Sequence, residues 1–419
     1  MPGLTSSSHT PRRQQPSHEP SALSPEPLSG LPDSGAECIH GFVKPGFEAV
    51  REAFAANLYS GADIGASAAV FVHGEAVVDL WGGYFDATYT RPWGEDTIVN
   101  GFSSTKTMTA LCALMLADRG EIELDAPVKK YWPEFAAAGK GRVEVRHIVS
   151  HTSGVAGWAE PMTLQDIYDP EKSTVLLARQ EPWWEPGTGA GYHGMNMGHL
   201  VGEVVRRVTG MSLGKFFQKE IATPLRADYH IGTPVECDPR ISLLIQGYPI
   251  QPNGNEFFKR SLLNPAARHF DTWSIAWRRA ELGAMNGHGN ARAIAMIQSI
   301  LANGGVKGTR LLSEQGRLRV LAEQANGVDL VLGVPLRWGM GYCLNLPVPR
   351  GQLDPSRALG RNVAFWAGNG GSMSYVDLDA RMAFGFTPNR WITGPHEQQR
   401  SLRILSAAYA CLTRLPANS

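Results

Sequence analysis

Apolar positions along the chain change period twice. Between residues 44 and 58, in "KPGFEAVREAFAANL", Phe47, Val50, Phe54 and Leu58 recur at the interval of one helical face. Two β-rich runs follow, "ASAAVFV" and "AVVDLWGGY", separated by "HGE", where Gly74 can take the positive φ that suits a hairpin turn. The other end of the chain mirrors this: "NVAFWAG", "SMSYVDL" and "RMAFGFTPN" are short runs of the same kind, and a helical "EQQRSLRILSAAYACL" succeeds them.

The region from about 101 to 309 carries mostly helical patterns and long loops, and no internal repeat is present. If the terminal strands pair, the fold class is α/β (α+β): one antiparallel β-sheet flanked by terminal helices, with an inserted, mainly helical lobe. The sheet lobe then comprises about 37–100 and 310–419, the helical lobe about 101–309, and a cleft lies between them. Residues 1–36 are rich in proline and serine with few large apolar side chains, and are expected to be a disordered leader ahead of a single domain over 37–419.

Composition narrows the function classes. A chain of 419 residues with 43% apolar and 19% charged residues can bury a large core. Lysine plus arginine and aspartate plus glutamate both number 39, which argues against a nucleic-acid partner and for a small uncharged one. Five scattered cysteines without a CxxC argue against disulfides and thiolate zinc, and so for a reducing compartment. The most apolar stretch, "MTALCALMLA", is about half the length that spans a bilayer, so the expected location is cytoplasmic, without a membrane partner.

Two S-x-x-K matches compete as the chemical centre: Ser103 with Lys106, and Ser212 with Lys215. The second also satisfies G-x-S-x-G ("GMSLG"), but it follows the helical pattern "HLVGEVVRRVTG" rather than a strand, so the strand-to-helix elbow is missing. Ser212 is expected instead to cap the next helix, "LGKFFQKEI", with Gly210 ending the one before it. Ser103 precedes "TKTMTALCALMLADRG", which is apolar nearly all round and so should be a buried helix ending at Gly120. A residue three positions on shares its face, so the Lys106 amine can approach the Ser103 hydroxyl and, if buried, lose proton affinity as a general base requires. On the pattern alone, a plain helix cap with a solvent-facing lysine remains open.

Taken in order, "SSTKTMTA", "DAPVKKYWPEF", "VSHTSGVAG", "EPGTGAGYHGMNMGHLVGEVVRRVTG", "ANGG" and "FWAGNGGSMSYVDLDARMAFGF" resemble the serine β-lactamase and penicillin-recognising superfamily over about residues 40–415. The similarity is strongest to its class C-like branch, which contains the family VIII carboxylesterases, and it implies a β-lactamase/transpeptidase-like fold. It further implies that Ser103 is the acylated nucleophile, Lys106 its partner and Tyr192 of "YHG" the tyrosine of the second motif. The amides of Ser103 and Asn369 would form the oxyanion hole. Trp366, Ala367 and Gly368 stand at the third motif, where lactamases have KTG, and Gly194 replaces the asparagine or serine usual after the tyrosine. With Trp366 as an apolar wall in place of a cation, and Gly194 in place of a polar side chain, the expected substrates are small uncharged esters.

Trp158, Trp183 and Trp184 are further candidates for an aromatic pocket, and "HTSG" (151–154) is expected to be a structural loop at the cleft wall. Histidine spacing offers no HExxH-like site, so neither a metal nor another cofactor is expected. Rival readings are a β-lactamase, a D-amino-acid amidase or peptidase, or an acyltransferase using the same site, and a non-catalytic relative that binds ligands or assembles.

Overall fold

The computed structural model describes residues 38–245, 254–306, 308–344, 360–392 and 397–414; the leader expected over 1–36 lies outside them. Nine strands form one antiparallel sheet: β1 Ile39–Val43, β2 Gly65–Val72, β3 Glu75–Gly83, β4 Ala325–Val328, β5 Pro335–Trp338, β6 Cys343–Leu344, β7 Val363–Ala367, β8 Met373–Asp377 and β9 Met382–Pro388. Their spatial order is β1-β3-β2-β9-β8-β7-β6-β5-β4, so the two ends of the chain meet where β2 pairs with β9, with Val70 opposite Phe384. The β2–β3 hairpin turns through His73 and Gly74, both at positive φ.

Both faces of this sheet are covered. Along β2 the side chains alternate: Ala66, Ala68 and Val70 pack with Phe47, Val50 and Phe54 of the helix α1 (Glu48–Tyr59) and its N-cap, together with Ile404 and Leu405 of the C-terminal helix. Ala69 and Phe71 face a second core. Burial on both sides explains why these strands read as continuous apolar runs rather than alternating ones.

The second core is built around α2 (Thr105–Asp118), whose residues are all buried except Asp118. Against it pack α3 (Met197–Thr209) and, further on, α4 (Glu256–Leu262) and α5 (Ala291–Asn303) complete the middle of the chain; α6 is the C-terminal helix Gln399–Leu412. Two features depart from the expected division into lobes. Helix α5 lies directly on β2, β8 and β9 and so belongs to the sheet layer, although its residues fall within the stretch assigned to the helical lobe. A second, four-stranded sheet of very short segments joins Ile98–Asn100, from the stretch assigned to the sheet lobe, to Tyr229–His230, Ile241–Ser242 and His288–Gly289 of the middle region.

The five cysteines are free. Among the described residues no helix is long and apolar enough to cross a membrane.

Candidate active site

Ser103 is held by a strained turn between strand and helix. After the segment Ile98–Asn100 the chain passes Gly101 and reaches Phe102 at φ 42, a conformation that bulky residues rarely adopt. The carboxamide oxygen of Asn100 accepts the Phe102 N–H at 3.0 Å. Thr105 Oγ1 donates to the Phe102 carbonyl at 2.6 Å and accepts the Gly287 N–H at 2.8 Å, while the Gly101 N–H reaches the Gly287 carbonyl at 2.8 Å. These bonds over-determine the turn, which is how strain persists at sites that do chemistry. Ser103 therefore enters a short 3-10 turn, Phe102–Ser104, that runs into α2, and an amide in such a first turn has no intrahelical acceptor.

Lys106, one turn on, is fully buried. Its Nζ lies 3.3 Å from Ser103 Oγ, 2.7 Å from the Gly194 carbonyl and 2.9 Å from the Ala284 carbonyl, and 4.6 Å from the centre of the Tyr192 ring. Among the described residues no carboxylate pairs with it. Burial consequently holds its pKa well below the ordinary lysine value. Nζ donates to both carbonyls and to Ser103 Oγ; when the amine gives up one proton, the two carbonyls can keep the remaining N–H groups and the lone pair is free to face the Ser103 hydroxyl. The alternative of a solvent-facing lysine is excluded by this burial.

Tyr192 arrives from a distant loop. Its hydroxyl interacts with Ser103 and accepts Trp366 Nε1–H at 3.0 Å. Burial raises the phenol pKa above its usual value, against the pull of those two bonds, so it stays protonated at neutral pH. The ring lies parallel to Trp338 at 6.1 Å and against Trp366 at 5.0 Å. Behind it, the buried Asp329 carboxylate accepts the amides of Tyr192, Val331 and Leu332 and the indole N–H of Trp338. Neither Asp329 nor Trp338 was singled out by sequence reasoning: both come from "NGVDLVLGVPLRWG", whose pairing with Tyr192 is purely tertiary.

These groups open onto a cavity of about 480 Å³. Ser103, Tyr192, Gly194, Trp366, Ala367, Gly368 and Asn369 line it. The remaining apolar wall has another origin than expected. Of the four tryptophans considered only Trp366 reaches the cavity; Trp158 is buried beside His199, and Trp183 and Trp184 pack on Phe257. Phe102, Phe258, Leu262, Met285 and Leu332 supply the apolar surface instead. An isolated tryptophan is more often core than pocket, and Trp158 follows that rule, while Trp183 and Trp184 are half-buried.

Two glycines have local causes. A Cβ on Gly194 would stand 2.3 Å from Leu262 Cδ2, so α4 fills the space a polar side chain would need. Ser261 of the same helix accepts the Gly194 N–H at 3.1 Å and donates to the Tyr192 carbonyl at 2.8 Å, which fixes the tyrosine segment. At Gly368 a Cβ would meet the Gly101 carbonyl at 2.0 Å: the close approach that requires glycine there is that of the Ser103 turn, rather than of a ligand.

The competing serine has none of these surroundings. Ser212 precedes a short helix, Leu213–Phe217, but its side chain does not cap it. It donates to Glu281 at 2.7 Å, and the same carboxylate accepts the Gly214 N–H at 2.7 Å, so Glu281 performs the capping expected of Ser212. Lys215 is exposed. Gly210 does end α3 in the left-handed conformation. In the "HTSG" segment, His151 and Ser153 are buried behind Tyr192. His151 accepts the His193 N–H, and Ser153 meets His193 Nε2 at 2.6 Å. Burial pushes His193 down to about 4, so this layer is neutral near pH 7 and supports the tyrosine without reaching the cavity.

A family model described as Beta-lactamase matches residues 50–409. The esterase/beta-lactamase LipL of Mycobacterium tuberculosis is 33% identical over 385 residues, which span 86% of this chain and 85% of LipL. The crystal structure of a family VIII carboxylesterase superposes with a TM-score of 0.83 at 39% identity, over 89% of this chain and 99% of that one. A penicillin-binding protein homologue from Caulobacter crescentus superposes at 0.81 and 32% identity, over 89% and 99%.

Proposed function

The chain belongs to the beta-lactamase family, and from that premise we propose that it is a carboxylesterase: a serine hydrolase that cleaves small, largely uncharged esters through an acyl-enzyme on Ser103. One observation carries this reading. The buried Lys106 amine stands 3.3 Å from Ser103 Oγ, held there by the Gly194 and Ala284 carbonyls and with its proton affinity lowered by burial, which is the placement a general base needs. The similarity to the esterase/beta-lactamase LipL and to a family VIII carboxylesterase supports the ester reading.

In this mechanism Lys106 takes the Ser103 proton as Oγ attacks the ester carbonyl. The amides of Ser103 and Asn369 receive the developing oxyanion, each such donor being worth about 3 kcal/mol in the transition state. The proton held by Lys106 then passes to the departing alkoxide, with the Tyr192 hydroxyl as relay. Tyr192 is suited to donate because burial keeps it protonated, and Lys106 to accept because burial lowers the proton affinity of its ammonium form. A water deprotonated by the same pair attacks the acyl-enzyme, and Ser103 recovers its proton when the acid leaves.

Substrate charge follows from the wall of the cavity. Among its described lining residues there is no lysine or arginine to pair with a carboxylate, and Trp366 and Leu262 occupy positions where polar groups would recognise an acylamino acid. Membership of the beta-lactamase family and the similarity to the esterase/beta-lactamase LipL keep β-lactam hydrolysis as the second reading. Assayed side by side, a p-nitrophenyl acyl ester is expected to exceed a chromogenic cephalosporin and a D-alanyl p-nitroanilide in kcat/KM by about 10- to 100-fold. That is the factor equivalent to one missing charged hydrogen bond. A cephalosporin turned over as fast as the ester would overturn the preference.

A further inference from the structure

The turn that carries Asn369 joins β7 to β8 and is tied on two sides. On its inner side Ser372 Oγ donates to the Gly101 carbonyl at 2.6 Å and accepts Ser104 Oγ at 2.8 Å, which ties the turn to both neighbours of the Phe102–Ser103 segment. On its outer side stands Arg400 of α6, only 3% exposed. One arm of its guanidinium reaches the Gly370 carbonyl; the other reaches the Asp63 carboxylate and, at 3.0 Å, the Arg390 carbonyl. Asp63 is itself buried, in the loop between α1 and β2, more than 300 residues away along the chain. A buried ion pair is seldom a gain in stability by itself, so the target of this one is informative.

The peptide planes connect that target to the site. Gly370 C=O and Gly371 N–H belong to one rigid plane, and the Gly371 N–H donates to the Gly368 carbonyl at 3.0 Å. Gly368 C=O and Asn369 N–H belong to the next. A cation on the Gly370 carbonyl therefore sits at the head of a chain of two hydrogen-bonded amides whose last N–H is that of Asn369. Such chains orient one another and strengthen by polarisation in a low-dielectric interior.

We infer that Arg400, anchored by Asp63, is a positioning residue of the oxyanion site: through the Gly370–Gly371 and Gly368–Asn369 peptides it aims and polarises the Asn369 N–H. This rests on the assignment of that amide under the proposed function. Arg400 touches no substrate, so its effect falls on the transition state and not on binding of the ground-state ester.

The test compares wild type with Arg400→Gln and Arg400→Lys on a p-nitrophenyl ester and on a trifluoromethyl ketone, which forms a tetrahedral oxyanion adduct with the nucleophile. Arg400→Gln is expected to lower kcat by about tenfold or more, less than the 10²–10³ of removing an oxyanion donor outright, with KM within about twofold. Its affinity for the ketone should fall by the same factor as kcat, and Arg400→Lys, which keeps a cation near Gly370, should recover part of both. A folded Arg400→Gln with wild-type kcat, or a kcat loss with ketone affinity unchanged, overturns the inference. Should the glutamine variant fail to fold, Asp63→Asn is judged on the same two readouts, where parallel losses support the role and unequal ones refute it. If wild type hydrolyses no ester, or hydrolyses it without Ser103, the acyl-enzyme reading fails instead.

Discussion

Ser103→Ala lowers turnover of a p-nitrophenyl ester by about 10⁴-fold or more, the scale seen when an acyl-enzyme nucleophile is removed, while Ser212→Ala keeps most of it. The contrast is physical. Ser103 has a buried amine at 3.3 Å, a protonated phenol beside it and a cavity in front. Ser212 has a carboxylate that takes its proton in a hydrogen bond, and the lysine three positions on is exposed. Steady-state rates of the two purified variants decide it, and the reverse order would assign the chemistry to Ser212. Ser212→Ala should still cost stability, since Glu281 loses one of its two donors at that helix start.

Lys106→Met is expected to abolish turnover nearly as fully, by about 10³-fold or more, because the other group beside Ser103, the Tyr192 phenol, is held protonated by burial and is a poor base. The same lysine sets two pH signatures. Its folded pKa is depressed by burial, so the amine is neutral above that pKa, and kcat/KM of wild type should fall as pH drops through it. For stability the sign is opposite to that of a paired lysine. Between the depressed folded pKa and the unfolded value near 10.5 the unfolded chain binds one proton more than the folded one. Wild type should therefore gain stability over Lys106→Met with rising pH, by up to about 1.4 kcal/mol per pH unit, a gain that ends above the unfolded pKa. Denaturant titrations of both proteins across pH 6–10 measure the slope, and a wild-type curve parallel to that of the variant would mean that Lys106 is charged when folded.

What the sequence made legible was what local pattern determines. The β2–β3 hairpin, β7 to β9 and the two terminal helices carry runs long enough, and buried enough, to show their period, and Ser103 and Lys106 share a helical face by spacing alone. Strands β4 to β6 are two to four residues long and contain glycine and proline, and the segments of the small sheet are as short; neighbours far along the chain make them strands. The cavity wall was misread for the same reason. Tryptophans near the motifs drew attention, yet Trp158, Trp183 and Trp184 face the core or α4, and Phe258 and Leu262 enter from a helix some 70 residues beyond Tyr192. Asp329, Trp338 and Arg400 act through contacts that no period or spacing encodes. Tyr192 itself was found by the order of the motifs, with no physical signal of its own beyond a turn-rich approach.

The central claim is that the Ser103 oxygen becomes covalently acylated. Incubation of the protein with a fluorophosphonate, followed by proteolysis and mass spectrometry, reads this directly. One adduct is expected, on the peptide containing Ser103, lost in Ser103→Ala and retained in Ser212→Ala. An adduct on Ser212 or another residue, or an active enzyme that carries no adduct, would contradict the account.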